Sequence, residues 1–448
     1  MTSDAANRDA LLDAAFWHGS IAASNEILKT HPELVGSDIH MAALLGDDEA
    51  VRRFLASDPR SVDAKTGRRQ VDPLTCLCFS VYLQHDQARS DGFVRAATRL
   101  LDAGANPNTG FFDETHQPCP EWESALYGAA GVAHHEGLTK LLLERGADPN
   151  DEEVPYHSPE SRDNRAFRVL VESDRMNEAS LNMMLLRKAD WHDYDGIELL
   201  LDRGVDPNRM SRFGKTALHQ AVIRDNGLDI IELLLDRGAD PCIVAQDLRH
   251  GGSFRPGRSS TAAAARRGRG DVLAAIERRG LPLDLHGADA LIAACARRDP
   301  AETQRLVSSE PGQVAQVLAD GATLIAEFAG NDNTAGVGLL IDLGVPVDAR
   351  YEGDPYYAVA ADSTALHVAA WRASHDTVEL LVRRGADVNA RDANGRTPLM
   401  RAVSACVDSY WTWRRSPRSV RTLLAARASR DGVRVPSGYE EVDALLTS

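Results

Sequence analysis

The stretch LLVRRGADVN at 380–389 decides the fold, because the chain repeats it as LLDAGANPN at 100–108, LLLERGADPN at 141–150, LLLDRGVDPN at 199–208 and LLLDRGADP at 233–241. A looser copy occupies 339–348. Self-similarity of this kind means stacked units that each contact only their neighbours, not one closed core.

Upstream of these copies stands a second phrase: GKTALH at 214–219, STALHVAA at 363–370 and GRTPLM at 395–400. Thr364 precedes Gly385 by 21 residues, and Thr323 precedes Gly344 by the same interval. With both halves in place, the chain resembles the ankyrin-repeat family, whose repeat of about 33 residues opens on Thr-Pro-Leu-His-x-Ala. The resemblance covers roughly half of the chain and is to the bacterial type, with degenerate repeats and long loops between them. It implies an all-α solenoid of about eleven helix-turn-helix units with inserted loops and helical end caps.

The residues themselves account for such a unit. Thr-Ala-Leu-His starts a short helix on a threonine cap, and the Ala-Ala pair behind it lets a neighbouring helix approach closely. The partner helix, 377–384, carries apolar residues at helical spacing and ends in a basic turn before Gly385, a residue suited to a left-handed helix stop.

Composition fits a repeat array in a reducing compartment. A chain of 448 residues exceeds one ordinary core, whereas a solenoid grows by addition. No apolar run reaches the roughly 20 residues that span a bilayer, and residues 1–25 lack the pattern of a signal peptide. Six scattered cysteines read as free thiols, so a cytoplasmic protein is expected. The expected boundaries are a degenerate N-terminal cap at 1–36, repeats at 37–150, an insertion at 151–180, repeats at 181–284, a degenerate repeat at 285–319, repeats at 320–430 and a C-terminal cap at 431–448.

Departures from the repeat carry the functional expectation. The closing glycines fall at 104, 146, 204, 238, 344 and 385, and the irregular intervals mark insertions at 109–121, 151–161, 242–258 and 350–362. These read as irregular loops. They hold Phe111, Phe112, His116, Tyr156, His157, Arg249, His250, Phe254, Arg255, Tyr351, Tyr356 and Tyr357, in a chain with 6% aromatic residues. Aromatics and arginine are enriched where surfaces recognise partners. Loops folded back on the repeats would look the same in sequence, and both readings stand.

The two positions after the Ala-Ala pair face the concave side in the family, which implies that Phe16 and Trp17, Leu44 and Leu45, Asp190 and Trp191, Arg266 and Arg267, and Trp371 and Arg372 line a groove. Trp122, directly after the first insertion, joins them. Trp411 and Trp413, in the last unit, are either a rim or a plug against the cap. The net charge is −16, with arginine stripes at 266–279 and 414–421; solvated helix faces explain such stripes, and nucleic acid is not expected as a partner.

No phosphate loop, zinc helix or nucleophile elbow occurs in the chain. His219 and His367 hold the histidine position of the repeat, which implies turn hydrogen bonding. The best candidate for a pocket of acid–base or ligand-binding groups is His116, Cys119 and Glu121, with His157 and the patch His192, Asp193 and Tyr194. The expected function is therefore non-enzymatic recognition of a partner polypeptide through the concave groove and the aromatic loops. The alternative is a small-molecule-binding or catalytic protein with a loop-built pocket. No catalytic residue, cofactor or metal is expected, no membrane contact, and a monomeric state.

Overall fold

Helix Ala217–Ile223 begins where Thr216 caps it, and the reason is local: Thr216 and His219 form a reciprocal capping box, with Thr216 Oγ1 and His219 Nδ1 2.7 Å apart. Thr364 and His367 repeat the arrangement at helix Ala365–Trp371, at 2.9 Å. Each imidazole also reaches a backbone carbonyl of the next turn through Nε2, that of Arg258 or Arg396. Both rings are buried, so these bonds satisfy groups that would otherwise be stranded.

The computed structural model describes residues 3–246 and 257–448. The chain divides into two units, Met1–Arg212 and Phe213–Ser448. In the second, short buried helices stack in one row. Ala217–Ile223 packs on Ser260–Arg266, which packs on Ala288–Ala296; Gly321–Gly330 packs on Ala365–Trp371, which packs on Pro398–Val407. Their partners form a second row, with Thr334–Asp342, His375–Arg383 and Arg418–Ala425 in sequence, and Glu440–Thr447 packs on Arg418–Ala425. Ala369 and Ala370 are fully buried, as close helix contact requires. Leu218, Leu234, Leu366 and Leu381 are also out of water, each contributing about 2 kcal/mol of burial.

The first unit follows the same plan. Ile39–Leu44 packs on Pro73–Cys78, and Asp48–Ser57 packs on Ser90–Asp102 behind them. The glycines of the repeated phrase, Gly104, Gly146, Gly204, Gly238, Gly344 and Gly385, all have φ between 80° and 105°. A side chain is disfavoured there, so each can turn the chain out of a helix.

The inserted segments are more ordered than their composition predicts. Residues 109–121 do not form an irregular loop: β1 (Gly110–Asp113) pairs antiparallel with β2 (Glu121–Ser124), with Phe111 opposite Glu123 and Phe112 opposite Trp122. Segment 151–161 contains helix Glu153–His157, and 151–180 as a whole contributes a helix to each row. Glu153–His157 packs on Glu178–Asp190, and Arg165–Glu172 packs on Glu136–Glu144. Proline at 155 hid the first of these helices, although a proline in the first turn costs no hydrogen bond. Segment 350–362 is pinned at both ends by bridges, Tyr351 to Ser363 and Asp354 to Val359. Arg249, His250, Phe254 and Arg255 lie outside the described residues.

The cysteines are all free, with Cys76, Cys78, Cys295 and Cys406 buried and Cys119 exposed. Among the described residues no helix is long and apolar enough to cross a membrane, and no cluster of His, Cys, Asp and Glu is placed to hold a metal ion.

Candidate functional site

In the second unit the turn after helix Ala217–Ile223 places Asp225 in a left-handed conformation, φ 52°, behind Arg267, which with Glu327 lines a cavity of about 230 Å³. Arg267, from the turn after Ser260–Arg266, grips the carboxylate with both arms: Nε donates to Oδ1 at 2.8 Å and Nη2 to Oδ2 at 2.6 Å. Arg372 adds a third bond at 2.7 Å. Arg267 also reaches Glu327 at 3.0 Å, and Tyr351 donates its hydroxyl to the same glutamate at 3.2 Å. These charges are out of water and pair only because geometry is nearly ideal. Burial disfavours the Asp225 carboxylate, but Arg267 and Arg372 outweigh it and hold the group far below the usual range. Glu327 moves the other way, raised by burial and by Asp225 despite Arg267.

Beside these charges stands the segment 351–362. Tyr351 is buried in an apolar cluster with Ala326, Val359 and Val368, against which Tyr357 and Trp371 pack. Tyr357 donates to the Ile223 carbonyl at 3.4 Å, with Arg372 4.5 Å from its ring centre. The Trp371 indole donates to the Tyr357 carbonyl at 2.7 Å. Arg401 lies 3.8 Å over Trp371 and donates to the Ala358 carbonyl at 2.8 Å. Tyr356 differs from all of these: it is 44% exposed and carries Arg224 over its ring, 3.5 Å from the ring centre. Arg258, Arg266, Asp320 and Glu352 complete the cavity wall, and Arg266 bridges Asp289 and Asp320.

The candidate residues of this unit are thus partly gathered. Tyr351 and Tyr356 line the cavity, while Tyr357, Trp371 and Arg372 pack together beside them, with Arg372 4.6 Å from the Trp411 ring centre. Trp413 is 73% exposed and stands apart from them. Tyr351, Tyr357 and Arg372 are committed to packing and pairing, whereas Tyr356 faces outward.

In the first unit Trp17 and Phe111 are buried, and their rings meet edge to face at 5.2 Å beside Phe16 and Phe79. Phe112 and Trp122 lie on the other side of the hairpin, exposed and paired across the strands at 4.9 Å. Tyr156 lies under Arg187 at 4.1 Å. Trp191 caps the end of Glu178–Asp190 and is 38% exposed.

The second candidate pocket is divided. His116 pairs with Glu121 at 2.9 Å, and Glu121 faces Glu153, which His157 holds at 3.0 Å. Burial opposes the His157 cation, but hydrogen bonds to Glu153 and Glu160 prevail and push it up to about 9. Cys119 contributes only its carbonyl, to His116 Nδ1. Asp193 belongs elsewhere: it caps Tyr194–Asp202 and accepts from buried Lys188 at 2.6 Å. His192 and Tyr194 flank that turn.

Sequence reading missed Asp225, Glu327, Arg224 and Arg401 in the second unit, and Glu123, Tyr127 and Glu153 in the first. Only the alternation Glu121-Trp122-Glu123 carried a signal, because a strand puts its first and third residues on one face.

A family model described as ankyrin repeats (3 copies) matches residues 264–392 and 355–427, and one described as ankyrin repeats (many copies) matches 185–235. Serine/threonine-protein kinase 12 of Arabidopsis thaliana is 38% identical over 84 residues, 19% of this chain and 17% of that protein. The chain therefore spans under a fifth of that relative's length. Among solved structures, the ankyrin repeat domain of Bcl-3, titled a unique member of the IkappaB protein family, is 23% identical, with 54% of this chain and 97% of that one covered and a TM-score of 0.24. With its repeated phrases matched from 185 to 235 and from 264 to 427, and with the helix pairs into which they fold, this chain carries ankyrin repeats.

Proposed function

We infer that the chain is a recognition protein that holds a partner polypeptide in the groove of its second unit, against the cavity walled by segment 351–362. Ankyrin repeats form a protein–protein interaction module, and the finer assignment rests on one observation. The cavity measures about 230 Å³, and its wall includes the paired charges Arg267 and Glu327. Small-molecule sites run to about 300–1,000 Å³ with mostly apolar walls. A smaller, half-polar recess suits one or two side chains of a longer chain lying across it. Tyr356 and Arg224 at its mouth are of the residue types that dominate interface energetics.

Selection of a random peptide library on the purified full chain tests this reading. Enriched peptides are expected to bind the Tyr356→Ala and Arg224→Ala variants at least tenfold more weakly, while melting temperature stays unchanged. Tyr357→Ala and Trp371→Ala are expected to lower the melting temperature instead. Peptides indifferent to Tyr356 and Arg224, or stabilisation by a metabolite library with no peptide enriched, overturn the reading.

A further inference from the structure

The first unit contains an acceptor with nothing to accept. Glu123, on the inner face of β2, is only 5% exposed, and among the described residues its Oε2 atom has no hydrogen-bond partner. Native structures pair nearly all such atoms, so a lone buried carboxylate oxygen calls for a donor from outside. Its surroundings specify the donor's charge. Glu121 shares the strand face, and Asp113 lies opposite Glu121 on β1. Helix Glu153–His157 brings Glu153 and His157 against them, and Glu160 follows. Tyr127, from helix Ala125–Tyr127, senses both Glu123 and Glu153 and is held neutral by burial and by their charge.

The cations nearby are already engaged. His157 lies 3.0 Å from both Glu153 and Glu160, Arg187 bridges Glu160 and Asp190, and Arg212 holds Glu152 at 2.7 Å. Glu121 has His116, and among the described residues no cation pairs with Glu123. The carboxyls of Glu121 and Glu153 face each other closely enough to share a hydrogen bond, which requires a proton or an added cation between them.

We propose that Glu123, Glu121 and Glu153 form a subsite for a cationic side chain, lysine or arginine, presented by a partner polypeptide, with buried Glu123 as its floor. The site lies in the first unit and is independent of the groove assigned above. Burial, then the charges of Glu153 and Glu121, push the Glu123 carboxyl up to about 8, so at neutral pH it holds a proton until the cation arrives. Binding then forms a carboxylate–cation contact and transfers the Glu123 proton to the buffer, one proton for each cation bound.

Isothermal titration of the full chain at pH 7 in two buffers of different ionisation enthalpy tests this. The probes are acetyl-Gly-Gly-Arg-Gly-Gly-amide, its lysine counterpart and its uncharged citrulline counterpart. A charged peptide is expected to bind with release of close to one proton, and the citrulline peptide to bind at least tenfold more weakly. Glu123→Gln mimics the neutral carboxyl, preserves the fold at pH 7, and is expected to weaken binding tenfold or more and abolish proton release. Glu121→Gln, on the more exposed wall, weakens it too, while Tyr356→Ala leaves it unchanged. Equal binding of the citrulline peptide, no binding by either charged peptide, or wild-type affinity in both glutamate variants overturns the proposal.

Discussion

Arg372 donates to Asp225 at 2.7 Å although 147 residues separate them, and the same carboxylate is held by Arg267. Two guanidinium groups are thereby kept out of water by one acid. Removing that acid leaves both uncompensated, and breaking a buried pair costs about 3–5 kcal/mol. Asp225→Asn is therefore expected to lose at least that much in chemical denaturation of the full chain. Arg224→Ala, at the cavity mouth, is expected to cost under about 1 kcal/mol.

Alkali weakens the first unit. Glu123 rises from 4.5 to about 8 on folding, and His157 from 6.5 to about 9, so the folded chain binds more protons than the unfolded chain across both intervals. Stability conferred by these protons is complete at the lower limits and is lost as pH rises to about 9. The slope is up to about 1.4 kcal/mol per pH unit for each group. Hydrogen exchange of residues 110–160 should accelerate over this range, beyond the intrinsic effect of pH, and Glu123→Gln should remove the part between 4.5 and 8.

Acid weakens the second unit. Burial pushes His219 down to about 4 from 6.5, although its backbone hydrogen bonds favour the cation, and His367 is lowered for the same reason. The unfolded chain therefore binds protons that the folded chain refuses below pH 6.5. Exchange in 214–224 and 363–372 is expected to rise as pH falls from 6.5 towards 4, corrected for intrinsic rates. An exchange profile flat over that interval contradicts it.

Lys188 is wholly buried and its ammonium donates to Asp193 at 2.6 Å, Asn164 at 2.6 Å and the Ser161 carbonyl at 2.8 Å. One cation thus ties segment 158–164 to the turn before helix Tyr194–Asp202. Lys188→Met is expected to destabilise the chain by about 3–5 kcal/mol, because it strands Asp193. Local opening at 158–164 in hydrogen exchange distinguishes this from a general loss of packing.

The repeats were legible because every signal for them is local. A threonine cap, an Ala-Ala pair, a leucine stripe and a closing glycine act within a few turns, so Thr364 to Gly385 declares a helix pair wherever it occurs. Segment 151–180 escaped because its helices lack those marks: Asn164 and Glu152 provide no side-chain cap, and Pro155 reads as a breaker.

The aromatic insertions were legible as places but not as roles. Tyr356 and Tyr357 are adjacent in the chain, yet one is exposed under Arg224 and the other packs against Trp371. Nothing local separates them, since the outcome depends on Ile223, Trp371 and Arg401 arriving from three other repeats. The ankyrin scaffold can be read from the residues alone, because its code is short-range and repeated. Tertiary structure alone decided that Asp225 meets Arg372 and that Glu123 is left without a partner among the described residues, because burial and charge pairing are set by residues far apart in the chain that only stacking brings together.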